Sequence, residues 1–177
     1  RGSAQRGRNP GDRYDPESDT WAATTQLNAP EPRFWHTAIW TGSRMIIWGG
    51  ESGTPLSTGG QYDPVADHWT PVTLTDRPAS RFGHTAVWTG SEMIVWGGSP
   101  FAAGGSYEPS TDTWRRTAFG PSSRSSHTAV WTGSEMVVWG GRDSGVLWNT
   151  GFRYYAALGT WLSMSTINAP LARVGHT

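Results

Sequence analysis

The chain has 177 residues, including 23 glycines, 12 prolines and 12 tryptophans, and it lacks cysteine. So many helix-breaking residues argue against long helices, the tryptophans argue against disorder, and the absence of cysteine excludes disulfides and thiolate metal sites. The 14 basic residues balance 14 acidic residues, so no net charge attracts nucleic acid or an anionic membrane.

The predicted elements repeat along the chain. Two strands are predicted around Tyr14 and Trp21, joined by an Asp-Pro-x-x-Asp turn. A segment that begins His-Thr-Ala, contains Thr-Gly-Ser and ends Trp-Gly-Gly then recurs almost letter for letter. Its copies are residues 36–50, 84–98 and 127–141, and a fourth copy begins at His176. Each copy predicts two strands, of which the second is a continuous apolar run typical of a strand buried on both faces.

A second pair of strands follows each copy. Its signature is a tyrosine and a tryptophan separated by a turn, and the third unit keeps both aromatics but loses the Asp-Pro motif of the turn. The tryptophans of this signature are Trp21, Trp69, Trp114 and Trp161, and they are spaced 45 to 48 residues apart. Four short antiparallel strands in about 45 residues are the pattern of a β-propeller blade.

The repeat resembles the Kelch repeat: a short apolar strand, a second strand that ends in Gly-Gly, then a spaced tyrosine and tryptophan. The resemblance implies an all-β Kelch-type β-propeller with about three complete four-stranded blades and partial blades at both ends. Because Kelch propellers generally close with six or seven blades, we expect the chain to be a fragment of such a ring. The expected units are residues 11–30 (outer strands only), 31–75, 76–120, 121–168 and 169–177 (first strand only).

Residues that recur in register are assigned to the scaffold before any is assigned to chemistry. Ten of the twelve tryptophans are in register, which favours packing between blades. Four histidines are in register as well, and because each belongs to a different unit we predict structural histidines bonded to nearby backbone, not a metal site. The paired aspartates of the turns supply too few ligands for calcium. No metal or other cofactor is therefore expected.

The candidate binding residues lie on one rim. Strand direction places the second-to-third loops and the connectors between units on the same side, and these segments carry nearly all the sequence variation. Two tryptophans there are out of register, and charged and aromatic residues share the loops with them. The candidates are Trp35, Phe101, Arg142, Asp143 and Trp148. Packing of the loop on itself is the alternative to binding for the tryptophans and the arginine of this rim.

An arginine stands three positions before each of the four repeated histidines. These arginines are Arg33, Arg81, Arg124 and Arg173. Ion pairing with a neighbouring unit is one interpretation. An anion-binding site near a channel mouth is the other, since these residues start inner strands.

The sequence predicts a non-catalytic binding or assembly module that recognises a protein or a glycan through this rim. The expected partner is another protein or the rest of its own propeller. One alternative is an enzyme acting on a sugar or small anion at the channel mouth, with the arginines and a carboxylate such as Glu51 or Asp143. Another is a structural subunit of a larger complex. No nucleic-acid partner and no membrane span are expected, and resemblance to bacterial Kelch proteins implies an extracellular, cell-surface or periplasmic location.

Overall fold

The computed structural model describes residues 11–99 and 102–176, and in these ranges the chain is all-β. The strands form three four-stranded antiparallel sheets and two separate strand pairs. In each large sheet the four strands follow one another in chain order except for a small insertion in the third. No helix in the described ranges has the length and apolar character needed to cross a bilayer.

The first strand pair precedes the large sheets, as predicted around Tyr14 and Trp21. It consists of β1 (Asp12–Asp15) and β2 (Thr20–Ala23). Sheet 1 consists of β3 (Thr37–Trp40), β4 (Met45–Trp48), β5 (Gly59–Asp63) and β6 (His68–Pro71). Sheet 2 consists of β7 (Phe82–Trp88), β8 (Met93–Ser99), β9 (Gly105–Glu108) and β10 (Thr113–Arg116).

The third unit contains sheet 3 and one element that the repeat does not predict. The strands of sheet 3 are β11 (Thr128–Trp131), β12 (Glu135–Trp139), β15 (Gly151–Tyr155) and β16 (Thr160–Ser163). Between β12 and β15 the loop folds into a hairpin of β13 (Arg142–Asp143) and β14 (Val146–Leu147). Ser144 and Gly145 both have positive φ, of 47° and 85°, which is the backbone of a type I′ hairpin turn. The further strand predicted from His176 runs past the described residues.

The sheets pack face to face, with β7 lying between β3 and β11. One apolar cluster joins Ile46 and Trp48 of sheet 1 to Met93, Val95 and Trp114 of sheet 2. A second cluster repeats the arrangement between sheets 2 and 3. The alternation of side chains along a strand explains this, because Ile46 and Trp48 point to one face while Met45 and Ile47 point to the other.

Candidate functional site

Repeated histidines connect adjacent sheets. The Nε2 atom of His84 lies 2.9 Å from the Thr37 hydroxyl, and the Nε2 atom of His127 lies 2.8 Å from the Thr85 hydroxyl. Each histidine ring also packs edge-on against a buried tryptophan of the preceding sheet. The ring centres of Trp48 and His84 are 5.4 Å apart. These histidines are structural, and the hydrogen-bond partner of each is a threonine hydroxyl of the preceding unit in place of the backbone predicted from the sequence.

Burial keeps these histidines neutral. Burial and the nearby Arg81 guanidinium lower the pKa of His84 to about 3. Burial and Arg124 lower the pKa of His127 to about 3 in the same way. A neutral imidazole at physiological pH can accept or donate one hydrogen bond at each nitrogen, as the contact with threonine requires.

The predicted arginines lie inside the scaffold. Arg33 donates through Nη1 to the carbonyl oxygens of Gly49 (2.9 Å) and Thr58 (2.7 Å). Arg81, only 1% exposed, and Arg124 make the equivalent bonds to the first glycine of their own units. The acceptors are carbonyl oxygens and not carboxylates, so these contacts favour a structural role over the predicted ion pairs and over an anion site.

The aspartate turns also connect successive units. Asp112 accepts hydrogen bonds from the Tyr107 hydroxyl (2.7 Å) and from the Thr73 backbone N–H (3.0 Å) of the preceding connector. Asp67 does the same for Tyr62 and Thr25. These carboxylates are used as acceptors inside the repeat. Among the described residues no group of three or more histidine, aspartate or glutamate side chains is arranged to hold a metal ion.

Two predicted binding residues come together at one small cavity. It has a volume of about 170 Å³ and is lined by Trp35, Phe82, Gly83, Ser125, Ser126 and Arg142. We call it the rim cavity. It lies between the residues that precede the repeated histidines and the start of the β13–β14 hairpin.

Backbone pairing holds the wall of the rim cavity. Ser125 and Arg142 exchange two backbone hydrogen bonds of 2.9 Å, and Ser126 donates to the carbonyl of Gly83 at 3.0 Å. The hairpin therefore fixes Arg142 beside the serines. In the described part of the chain no carboxylate forms an ion pair with the Arg142 side chain, which is exposed.

Trp35 is unusual in conformation and exposure. The residue before the repeated histidine is left-handed in every unit, and the other units place glycine or serine there: Gly83, Ser126 and Gly175. Trp35 adopts a φ of 52° at this position, a region that a bulky L-residue occupies at a cost of about 1–3 kcal/mol. Its side chain is 64% exposed, and its ring centre lies 5.5 Å from that of Phe82.

The remaining predicted residues are not part of the cavity lining. Trp148 is half-buried, and its ring centre lies 5.4 Å from the Arg124 guanidinium carbon, so this tryptophan packs on its own unit. Asp143 lies in the hairpin and accepts a hydrogen bond from Ser144 at 3.1 Å. Phe101 lies outside the described residues.

Sequence reasoning missed Phe82 and Ser125 as site residues. Both occupy the position two residues before a repeated histidine, where Phe34 stands in the first unit. The variation at that position was a usable signal. No protein-family model matches this chain, and no significant match is found among the curated proteins.

Proposed function

We propose that the chain forms blades of a Kelch-type β-propeller and acts as a non-catalytic binding module that recognises a protein or glycan at the rim cavity. The propeller assignment is supported by the repeated four-stranded sheets, the adjacency of β3, β7 and β11, and the recurring contacts between sheets. The resemblance of the repeat to the Kelch pattern supports the same assignment.

The observation that carries the binding proposal is Trp35. An exposed tryptophan in a left-handed conformation has a cost to the fold, and two of the other three units avoid that cost with a glycine, Gly83 and Gly175. Aromatic and arginine side chains are the residue types that most often dominate recognition surfaces. Here Trp35 and Phe82 lie beside Arg142, which forms no ion pair with any carboxylate of residues 11–99 and 102–176. The arrangement suits a ligand with one apolar or ring face and one acceptor group.

Binding by variants tests this proposal. Labelled chain is applied to a glycan array and to a displayed peptide library, and each ligand found is measured again by calorimetry. We expect Trp35→Gly and Arg142→Ala to weaken binding at least 10-fold, because they remove the aromatic wall and the cation. The control is Val65→Ala, at a side chain that is 95% exposed in the turn between β5 and β6. Equal affinity of all four proteins would refute the assignment of the rim cavity.

A further inference from the structure

Sheet 1 exposes a face that the other two sheets bury. Met93 in sheet 2 and Met136 in sheet 3 are both 0% exposed, whereas the equivalent Met45 is only half-buried. Trp40 is 54% exposed, although the equivalent Trp88 packs against the apolar cluster between sheets 1 and 2. The face of sheet 1 that points away from sheet 2 thus has the composition of a buried interface.

The polar contacts of a buried interface are also incomplete there. In sheets 2 and 3, the repeated histidine bonds to a threonine hydroxyl of the preceding sheet. The backbone carbonyl of the repeated arginine also accepts a hydrogen bond from a glycine N–H of the preceding unit, as Arg81 does from Gly50 at 2.9 Å. His36 is exposed instead. Within residues 11–99 and 102–176, no threonine hydroxyl bonds to His36 and no glycine N–H donates to the Arg33 carbonyl.

A strand edge borders the same face. The equivalent strands β5 and β9 each pair with a strand on both sides, but among the described residues β1 pairs with β2 alone. Between β1 and sheet 1 lies an apolar cavity of about 420 Å³, whose lining includes Gly11, Arg13, Trp40, Met45 and Tyr62. An open strand edge beside an apolar surface is the arrangement into which another strand adds.

We propose that the open face of sheet 1 and the free edge of β1, with the cavity between them, bind an antiparallel strand pair with the repeat's own inner-strand chemistry: a threonine on the first strand, and an aliphatic residue, a spacer and Trp-Gly-Gly on the second. The proposal rests on the propeller architecture proposed above. The two interfaces within the chain define the contacts. The threonine bonds to His36, the tryptophan packs edge-on against its ring, and the second strand pairs with β1. The first glycine leaves room for the histidine ring, as Gly97 does for His127, where an added Cβ would lie 2.6 Å from Cε1.

A peptide with the sequence of residues 127–141 provides the probe, because it contains the complete strand pair and its turn. Fluorescence anisotropy measures its binding to the 177-residue chain. We expect saturable binding that weakens at least 10-fold when the peptide carries Thr128→Ala together with Gly140→Val, which removes the hydroxyl and fills the space of the histidine ring. Equal binding of the two peptides would overturn the proposal.

Variants of the chain locate the site. His36→Ala should weaken binding of the peptide at least 10-fold, whereas His68→Ala, at an exposed histidine of β6, should leave it unchanged. Arg142→Ala should also leave it unchanged, so a failure of the rim cavity is distinguishable from a failure here. Equal loss in His36→Ala and His68→Ala would contradict the site. Sedimentation is run in parallel, and self-association that His36→Ala abolishes would make a second copy the occupant and overturn the proposal.

Discussion

The first glycine of each Gly-Gly pair is required by a neighbour in the next unit. At Gly97, φ is 71° and an added Cβ would lie 2.6 Å from Cε1 of His127. At Gly90, φ is 105° and an added Cβ would meet no atom within 4 Å. Alanine would have a strained backbone at both positions, but only at Gly97 would its Cβ also collide with another side chain, that of His127.

We expect Gly97→Ala to lower the free energy of unfolding by about 1–3 kcal/mol more than Gly90→Ala does, because the histidine ring must move away from its threonine. Urea denaturation of the two variants measures the difference. Similar losses in both would mean that backbone strain alone, and not the contact between sheets, accounts for the glycine.

The sequence predicts the role of the repeated histidines but not their partners. Register was enough to predict that His84 and His127 are structural, because a residue that repeats with the fold serves the fold. It could not identify Thr37 and Thr85 as their partners, since which face of a neighbouring sheet meets the ring depends on tertiary packing. Trp35 was found because it breaks register, whereas its left-handed backbone became visible only in the structure.

At the scale of elements, the turn between the third and fourth strands joins one unit to the next. Asp112 accepts from Tyr107 and from the Thr73 N–H, while Asp19, in the exposed first hairpin, accepts from the Tyr14 hydroxyl. Both have a φ near 50°, and the third unit has Gly159 at this position. Glycine is thus the substitution that removes the carboxylate and keeps the turn.

We expect Asp112→Gly to destabilise the chain by about 2 kcal/mol, because two buried or half-buried donors lose a charged acceptor. Asp19→Gly should cost clearly less, because its donor is exposed. Thermal and urea unfolding of both variants measure this. A loss in Asp19→Gly as large as that in Asp112→Gly would show that the bond to the preceding connector contributes little.

The strand content of each unit was predictable, and the β13–β14 hairpin was not. The apolar runs mark β4, β8 and β12, and the spaced tyrosine and tryptophan mark the strand pair that follows each of them. In the loop 142–147 the only turn signal is Ser-Gly, and its strands are two residues long, too short for an alternating pattern to be recognised. That hairpin nevertheless positions Arg142 at the rim cavity.

At the scale of the whole molecule, the buried histidines predict a dependence of stability on pH. Their pKa values are about 3 in the fold and near 6.5 in an unfolded chain. Below pH 6.5 the unfolded state therefore binds protons that the folded state does not, and stability is lost on acidification.

We expect the free energy of unfolding to fall between pH 6.5 and 4.5, approaching a slope of about 1.4 kcal/mol per pH unit for each histidine. Hydrogen bonds lower the pKa values of carboxylates such as Asp63 and Asp67. Protonation of these carboxylates therefore reduces the free energy of unfolding only at lower pH. Denaturation in urea at a series of pH values measures this dependence. Constant stability over that window would contradict neutral, buried histidines.

The proposed binding role distinguishes Trp35 from the residues that hold the fold together. The most direct test is the free energy of unfolding of Trp35→Gly, since Gly83 and Gly175 show that glycine suits this backbone. If Trp35 is kept for recognition, the variant is as stable as the wild type or more stable by about 1 kcal/mol, because the left-handed strain is relieved. A loss of more than about 1 kcal/mol would show that Trp35 serves packing against Phe82 and would contradict the proposed site.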